Sequence, residues 1–271
     1  MKLDSSLAWQ VATRTLSAHR DLVLTLAGVF LLLPHLALTL FVPPPQPQPG
    51  MAPQAMMALL QGYYLRAAPF LIAVTIIQAV GTLSILTLFT DRSRPTVAEA
   101  IKRGVVGMVS YIGAQLLFGV GFGVIGGLLL AVAMATKLSA LIALVVTVLA
   151  VAAFYITFRL ILSVTVIAVD GVANPVSVLQ RSWVLTKGNI GRIFLFIMLL
   201  GLIGLVILAS ASAIIGLIAT LVLGAATSKI VVAVVASGLT ALFTLVLIAV
   251  IAAIHRQLAG PSVRAMRETF S

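Results

Sequence analysis

The sequence predicts an all-α, polytopic membrane protein with six transmembrane helices and short elbow helices at the inner membrane surface. Two observations carry this prediction. Hydrophobic residues make up 62% of the 271 residues and charged residues only 8%, which leaves too few polar side chains to cover a soluble domain. Apolar residues also form six stretches, each long enough to cross the roughly 30 Å hydrocarbon core. These stretches are 21–42, 67–90, 105–133, 138–169, 193–223 and 230–254.

Each stretch is predicted to be a helix because lipid offers the backbone no hydrogen-bond partners. Residues 1–271 then form one six-helix domain. Residues 1–20 predict a juxtamembrane helix, with Trp9 suited to the headgroup level. Residues 43–65 predict a proline-rich periplasmic loop, because the prolines at 43–49 favour extended geometry. Its second part, 54–64, is expected to lie along the outer surface.

The two longer inner connections each predict a short elbow helix before the following span, over 95–103 and 174–187. The second carries end signals. Asn174 suits the N-cap, Pro175 suits the first turn, and Gly188 suits the position just past the end.

Positive charge is distributed unevenly along the chain, which has a formal net charge of +11. Only Lys137 and Lys229 fall between the other pairs of spans, with Arg66 near a helix end. This bias predicts a multi-pass protein of the bacterial inner membrane with cytoplasmic N- and C-termini. The excess also predicts attraction to anionic lipids rather than nucleic acid. The cations on the predicted inner side are Lys2, Arg14, Arg20, Arg92, Arg94, Lys102, Arg103, Arg181, Lys187, Arg192, Arg256, Arg264 and Arg267.

Groups that support catalysis within the membrane are missing from the sequence. There is no cysteine, so thiolate chemistry and disulfides are excluded. The six carboxylates fall at or outside the ends of the apolar stretches. We therefore predict no enzyme activity, no metal site and no cofactor. These carboxylates are Asp4, Asp21, Asp91, Glu99, Asp170 and Glu268.

Glycines recur every fourth residue in the third stretch, at Gly119, Gly123 and Gly127. Small residues at this spacing form a groove that lets another helix approach closely. The same segment matches the dinucleotide fingerprint G-x-G-x-x-G, but that motif requires a preceding strand. We predict a helix-packing groove, which could serve packing within the chain or a homo-oligomer.

Arg159 is the charge that lies deepest within apolar sequence, with Tyr155 and Ser163 at a spacing of four. A charged residue at membrane depth usually faces protein or water and has a partner. Two readings stay open: an arginine bonded to carbonyls that fixes helix packing, or an anion site for a lipid phosphate. Gln78 and Gln115 add polar faces. All five residues could line one inward-facing cavity, or they could form interhelical hydrogen bonds.

A motif follows the fourth stretch, where residues 179–189 read LQRSWVLTKGN. With Arg159 and the Asp170-Gly171 pair, this pattern resembles the membrane domain found in some glycerophosphoryl diester phosphodiesterases and in related six-helix bacterial inner-membrane proteins. The resemblance implies the six-helix architecture. The family's phosphodiesterase chemistry belongs to a separate soluble domain, which this chain is expected to lack. The positions that carry over are Arg159, Arg181, Ser182, Trp183, Gly188 and Asn189.

The first functional hypothesis is a non-enzymatic protein of envelope or lipid homeostasis. It would bind membrane lipids, anionic ones above all, or a protein partner through its basic inner face. The alternative is a transporter or flippase that moves an amphipathic or anionic substrate past Arg159. An arginine locked to helix carbonyls favours the first, and an arginine on a continuous polar path favours the second. The candidates on the inner face are Arg181, Trp183, Lys187 and Arg192.

Overall fold

A computed structural model describes residues 2–46, 48–90 and 95–260 of the protein. Within these ranges the chain forms helices and loops and contains no strand. The helices are α1 (Ser5–Ala18), α2 (Arg20–Phe41), α3 (Pro53–Thr90), α4 (Val97–Ala135), α5 (Ser139–Arg159), α6 (Ser163–Asp170), α7 (Pro175–Thr186), α8 (Ile190–Gly224) and α9 (Thr227–Ala259).

Six segments of the described chain are long and apolar enough to cross a membrane. They are α2, α3, α4, the α5–α6 pair, α8 and α9. The predicted all-α polytopic class is therefore confirmed. The predicted cations Arg92, Arg94, Arg264 and Arg267 and the acids Asp91 and Glu268 lie outside the described residues.

Two predicted boundaries are wrong, both because a helix is longer than its apolar core. The expected surface segment 54–64 is part of α3, which begins at Pro53 and has Pro69 within it. Proline suits a first helical turn, so Pro53 can start the helix. The expected elbow helix at 95–103 is likewise the first part of α4. Thr96 and Glu99 form a capping box there, and the helix continues without a break to Ala135.

The second elbow helix is confirmed as α7. The Asn174 side chain accepts hydrogen bonds from the backbone N–H groups of Val176 and Ser177, and Pro175 occupies the first turn. Gly188 follows the helix with a φ of 79°, a left-handed conformation that glycine adopts without steric cost. The capping residues read from the sequence therefore mark the actual ends of α7.

One end of the bundle, called the basic end below, brings together α1, α7 and the chain's two described ends. The Asp4 amide donates to Gln257 Oε1, and Gln257 Nε2 donates to the Asp4 carbonyl, each at 3.1 Å. The Leu3 amide donates to Asn189 Oδ1 at 2.8 Å. Most described cations belong to this end: Lys2, Arg14, Arg20, Lys102, Arg103, Arg181, Lys187, Arg192 and Arg256.

The buried core lies toward the basic end and is shared by α2, α3, α8 and α9. Its largest fully buried side chains include Ile85, Leu86, Ile193 and Ile254. By contrast, only 6% of the most apolar window of the α5–α6 pair is buried, against 50% for α3. The α5 helix therefore presents nearly all of its length outward, as a helix surrounded by lipid does.

Candidate functional site

The fourth span is broken at residues 160–162, where α5 ends and α6 begins. The break releases the carbonyl of Arg159 from helical hydrogen bonding. Ser182 Oγ of α7 donates to that carbonyl at 2.9 Å, and the Thr186 hydroxyl lies 3.2 Å from it. A freed backbone carbonyl at membrane depth needs such a partner. The elbow helix therefore docks against the spans through the break.

The Arg159 side chain strengthens the same contact. Its Nη1 donates to the Trp183 carbonyl at 3.1 Å and to Thr186 Oγ1 at 3.3 Å. Its guanidinium carbon lies 4.3 Å from the Trp183 ring centroid, within cation–π range. Only 8% of the residue is exposed. Of the two readings of Arg159, these contacts favour the carbonyl-bonded arginine that fixes helix packing.

The residues predicted to share a face with Arg159 lie in different surroundings. Tyr155 is exposed but does lie beside Arg159, as predicted: its ring centroid is 5.8 Å from the Arg159 guanidinium carbon, and its ring packs edge-on against Trp183 at 6.1 Å between centroids. Ser163 is buried at the start of α6, beyond the break. The spacing of four does not place Ser163 beside Arg159 on one helix, because the helix is not continuous between them.

The two glutamines do not line an inward-facing cavity as predicted. Gln115 Nε2 donates to the Tyr111 hydroxyl at 3.1 Å, an exposed pair within α4. Gln78 is half-buried on α3. A cleft of about 510 Å³ does open at the basic end, but neither glutamine, nor Tyr155, Arg159 or Ser163, lines it. The predicted grouping of all five side chains around one cavity is therefore wrong, although Tyr155 and Arg159 do contact each other.

The three cations predicted at the elbow differ in the hydrogen bonds that their side chains make. Arg181 Nε donates to Asp170 Oδ2 at 3.2 Å. Arg192 Nη1 donates to the Leu3 carbonyl at 3.1 Å, which helps to hold α1. Lys187 is exposed just past α7 and makes no ion pair with any described residue. Of the three elbow cations, Lys187 therefore has the side chain with the fewest bonds to other described residues.

A second cluster joins the elbow to the last helix. His255 of α9 is 2% exposed, and its Nε2 lies 3.5 Å from Asp170 Oδ1. Asp170 thus contacts Arg181 on one side and His255 on the other. The sequence placed Asp170 and His255 near inner helix ends but offered no signal that they meet, since 85 residues separate them.

We expect Asp170→Asn to lower the free energy of unfolding by about 1 kcal/mol, because a partly exposed ion pair is worth up to about that much. Asp170 and Arg181 have 12% and 42% exposed side chains. The matched control is Asp21→Asn, whose partner Arg20 and own side chain are 76% and 89% exposed. Thermal unfolding in detergent should separate the two variants. Equal midpoints for both would remove the Asp170 cluster as a stabilising contact.

The predicted glycine groove is not used for packing within the described chain. An added Cβ at Gly119, Gly123 or Gly127 would meet nothing within 4 Å. Helix packing instead uses glycines nearer the start of α4. An added Cβ on Gly104 would lie 2.7 Å from the Val80 carbonyl oxygen, and one on Gly107 would lie 3.0 Å from Ile167. The groove as an oligomer contact stays a prediction.

Comparisons with known proteins give no relative: no protein-family model, curated protein or solved structure matches the chain. The resemblance to the phosphodiesterase membrane domain therefore stays a prediction. Within residues 2–46, 48–90 and 95–260, no group of three or more His, Cys, Asp and Glu side chains could hold a metal ion.

Proposed function

We propose that the chain is a non-catalytic protein of the bacterial inner membrane, with its basic end in the cytoplasm. Its elbow helix α7 binds anionic lipid headgroups in the service of envelope or lipid homeostasis. One observation carries this proposal: the buried Arg159 fixes α7 in place. The opposite face of α7 is exposed and apolar, and the exposed Lys187 follows it.

The two faces of α7 differ in chemistry. Its inner face is formed by Val178, Ser182 and Thr186, all fully buried at a spacing of four. Its outward face carries Val176, 49% exposed, and Val184, 64% exposed, while the Trp183 ring, 37% exposed, lies at the edge of that face against Arg159. Aliphatic side chains on an exposed helix face, with a tryptophan at its edge and a lysine after it, are typical of a helix lying in the headgroup region.

Charge supports the same orientation. Each lysine or arginine near an anionic membrane surface contributes about 1 kcal/mol of attraction. Nine described cations belong to the basic end, whereas Arg66, Lys137 and Lys229 lie toward the opposite end. A cytoplasmic leaflet rich in anionic lipid would therefore hold the basic end and its elbow.

Transport past Arg159 has less support. Its guanidinium is 8% exposed and bonded to Trp183 and Thr186, so it is held inside a helix contact. A substrate that passed this residue would first have to separate α7 from α5. The contacts of Arg159 are therefore those expected of a residue that positions α7.

The test compares lipid retention by two lysine variants. Purified protein from bilayers of phosphatidylglycerol and phosphatidylcholine is analysed by native mass spectrometry, and retained lipids are counted. We expect Lys187→Gln to weaken phosphatidylglycerol retention about fivefold, the equivalent of about 1 kcal/mol. Lys229→Gln at the opposite end should leave retention of phosphatidylglycerol unchanged. Equal retention by Lys187→Gln and the unaltered protein would refute the proposal for the elbow.

A further inference from the structure

The connection between α2 and α3 is tied to the fold at both of its ends. At its start, the Tyr63 hydroxyl of α3 donates to the Val42 carbonyl at 3.1 Å. Near its end, the Met51 amide donates to the Gln48 carbonyl at 3.2 Å, and Gly50 between them has a φ of 82°. Proline followed by glycine at the centre of such a turn is typical of a type II turn. The connection therefore has a defined place in the fold although it is not helical.

Three consecutive prolines follow the first of these ties, at Pro43, Pro44 and Pro45. The ring of each proline fixes its own φ at about −65°, and a residue that precedes proline is driven to extended backbone. Pro43 and Pro44 meet both conditions. The segment Pro43–Gln46, called the polyproline segment below, therefore favours the polyproline II conformation. A segment held in this way has little conformational entropy left to lose when it binds.

The polyproline segment is presented on the outside of the fold. Pro43, Pro44 and Gln46 are exposed, and Pro45 is half-buried. The polyproline II conformation has no internal hydrogen bonds, so the segment cannot satisfy its own carbonyl oxygens. No described residue donates a hydrogen bond to them. The segment therefore offers proline rings and unbonded carbonyl oxygens on one exposed stretch of chain.

The polyproline segment carries no charge that could attract a partner. The chain from Val42 to Leu65 contains no Asp, Glu, Lys or Arg. The segment also lies opposite the basic end, because α2 begins there with Arg20 and leads away from it to Phe41. A partner that binds the segment must therefore use apolar contacts and hydrogen bonds to its carbonyl oxygens.

This chemistry fits one kind of partner. Grooves lined by aromatic side chains bind polyproline II ligands, because aromatic faces pack against proline rings and tryptophan or tyrosine donors reach the carbonyl oxygens. We propose that the polyproline segment binds such an aromatic groove on a partner protein, on the side of the membrane opposite the basic end. With the basic end in the cytoplasm, the partner is extracytoplasmic. This interaction is separate from lipid binding by α7, which lies at the other end of the bundle.

The experiment uses the full chain in membranes of its native host, with photoreactive benzoylphenylalanine in place of Gln46. Illumination is expected to give a discrete adduct with one partner protein. An excess of octaproline, a soluble polyproline II peptide, should abolish the adduct, whereas a glycine–serine peptide of the same length should leave it unchanged. Pro43→Ala combined with Pro44→Ala should reduce the adduct about fivefold, because each alanine releases a backbone that proline had restrained.

The matched control is Pro53→Ala, which removes a proline outside the segment and should keep the adduct. Lys187→Gln should keep it as well, so the elbow proposal can fail without this one. Unchanged unfolding midpoints would show that the variants fold. The proposal is wrong if no discrete adduct forms, if octaproline does not remove it, or if it survives loss of the two prolines. An adduct with a second copy of this chain would also contradict it.

Discussion

Replacing Arg159 by alanine is expected to lower the free energy of unfolding by about 2–3 kcal/mol. The variant loses hydrogen bonds from a charged donor, worth about 1.5–3 kcal/mol, and a desolvated cation–π contact worth about 2 kcal/mol. Relief of a buried charge offsets part of this loss. The contacts concerned are those to Trp183 and Thr186. Thermal unfolding of the detergent-purified protein, followed by tryptophan fluorescence, measures the change.

Arg159→Lys is the informative companion variant. Lysine keeps the charge but cannot place a planar guanidinium over the Trp183 ring while it also bonds the carbonyl. We expect it to recover less than half of the lost stability. Lipid retention should stay unchanged in both variants, because Arg159 is 8% exposed and α7 keeps its Ser182 and Thr186 contacts with the backbone carbonyl at position 159. A variant that kept full stability but lost anionic lipid would instead restore the reading of Arg159 as an anion site.

Gly104→Ala is expected to cost about 1–3 kcal/mol, as overpacking of a well-packed contact does. The new methyl would overlap Ser84 Oγ and would lie 2.7 Å from the Val80 carbonyl oxygen. Real Cβ atoms do not approach this closely, and the Val80 oxygen is backbone that cannot rotate away. Helices α3 and α4 would have to separate at the basic end. The measurement is again the thermal unfolding midpoint.

Gly123→Ala is the matched control on the same helix. An added Cβ there meets nothing within 4 Å, and alanine favours helix over glycine by up to about 1 kcal/mol. We expect an unchanged or slightly raised midpoint. Equal destabilisation by the two substitutions would mean that the α3–α4 contact is not the one described. A change in oligomeric state with Gly123→Ala alone would support the groove as a contact between copies.

Comparison of these two glycines shows where sequence reasoning succeeds and where it stops. The spacing of Gly119, Gly123 and Gly127 is a recognised packing pattern. On α4, however, the close helix contacts that require a small residue are at Gly104 and Gly107. Periodicity reports that a helix has a small-residue face. It does not report toward which neighbour that face is rotated, because rotation depends on every helix in the bundle.

Arg159 likewise shows what sequence reasoning can predict and what it cannot. Its presence in apolar sequence predicted a partner, and the alternative of a carbonyl-bonded arginine was open from sequence. Its actual partners, Trp183 and Thr186, depend on the break at residues 160–162. No glycine or proline marks that break in the sequence. The prediction that Ser163 lies beside Arg159 was wrong because the helix is interrupted between the two residues.

The sequence by itself determined that this is a six-span, all-α protein with its cations gathered at one end and a capped elbow helix before the fifth span. Those features follow from local rules: lipid requires backbone hydrogen bonds within each segment, and caps act over a few residues. Only the tertiary structure decided which residues meet, such as Asp170 with His255, and where a cleft forms beside Lys102. Such contacts depend on the rotation, depth and breaks of helices far apart in the chain, which no local pattern encodes.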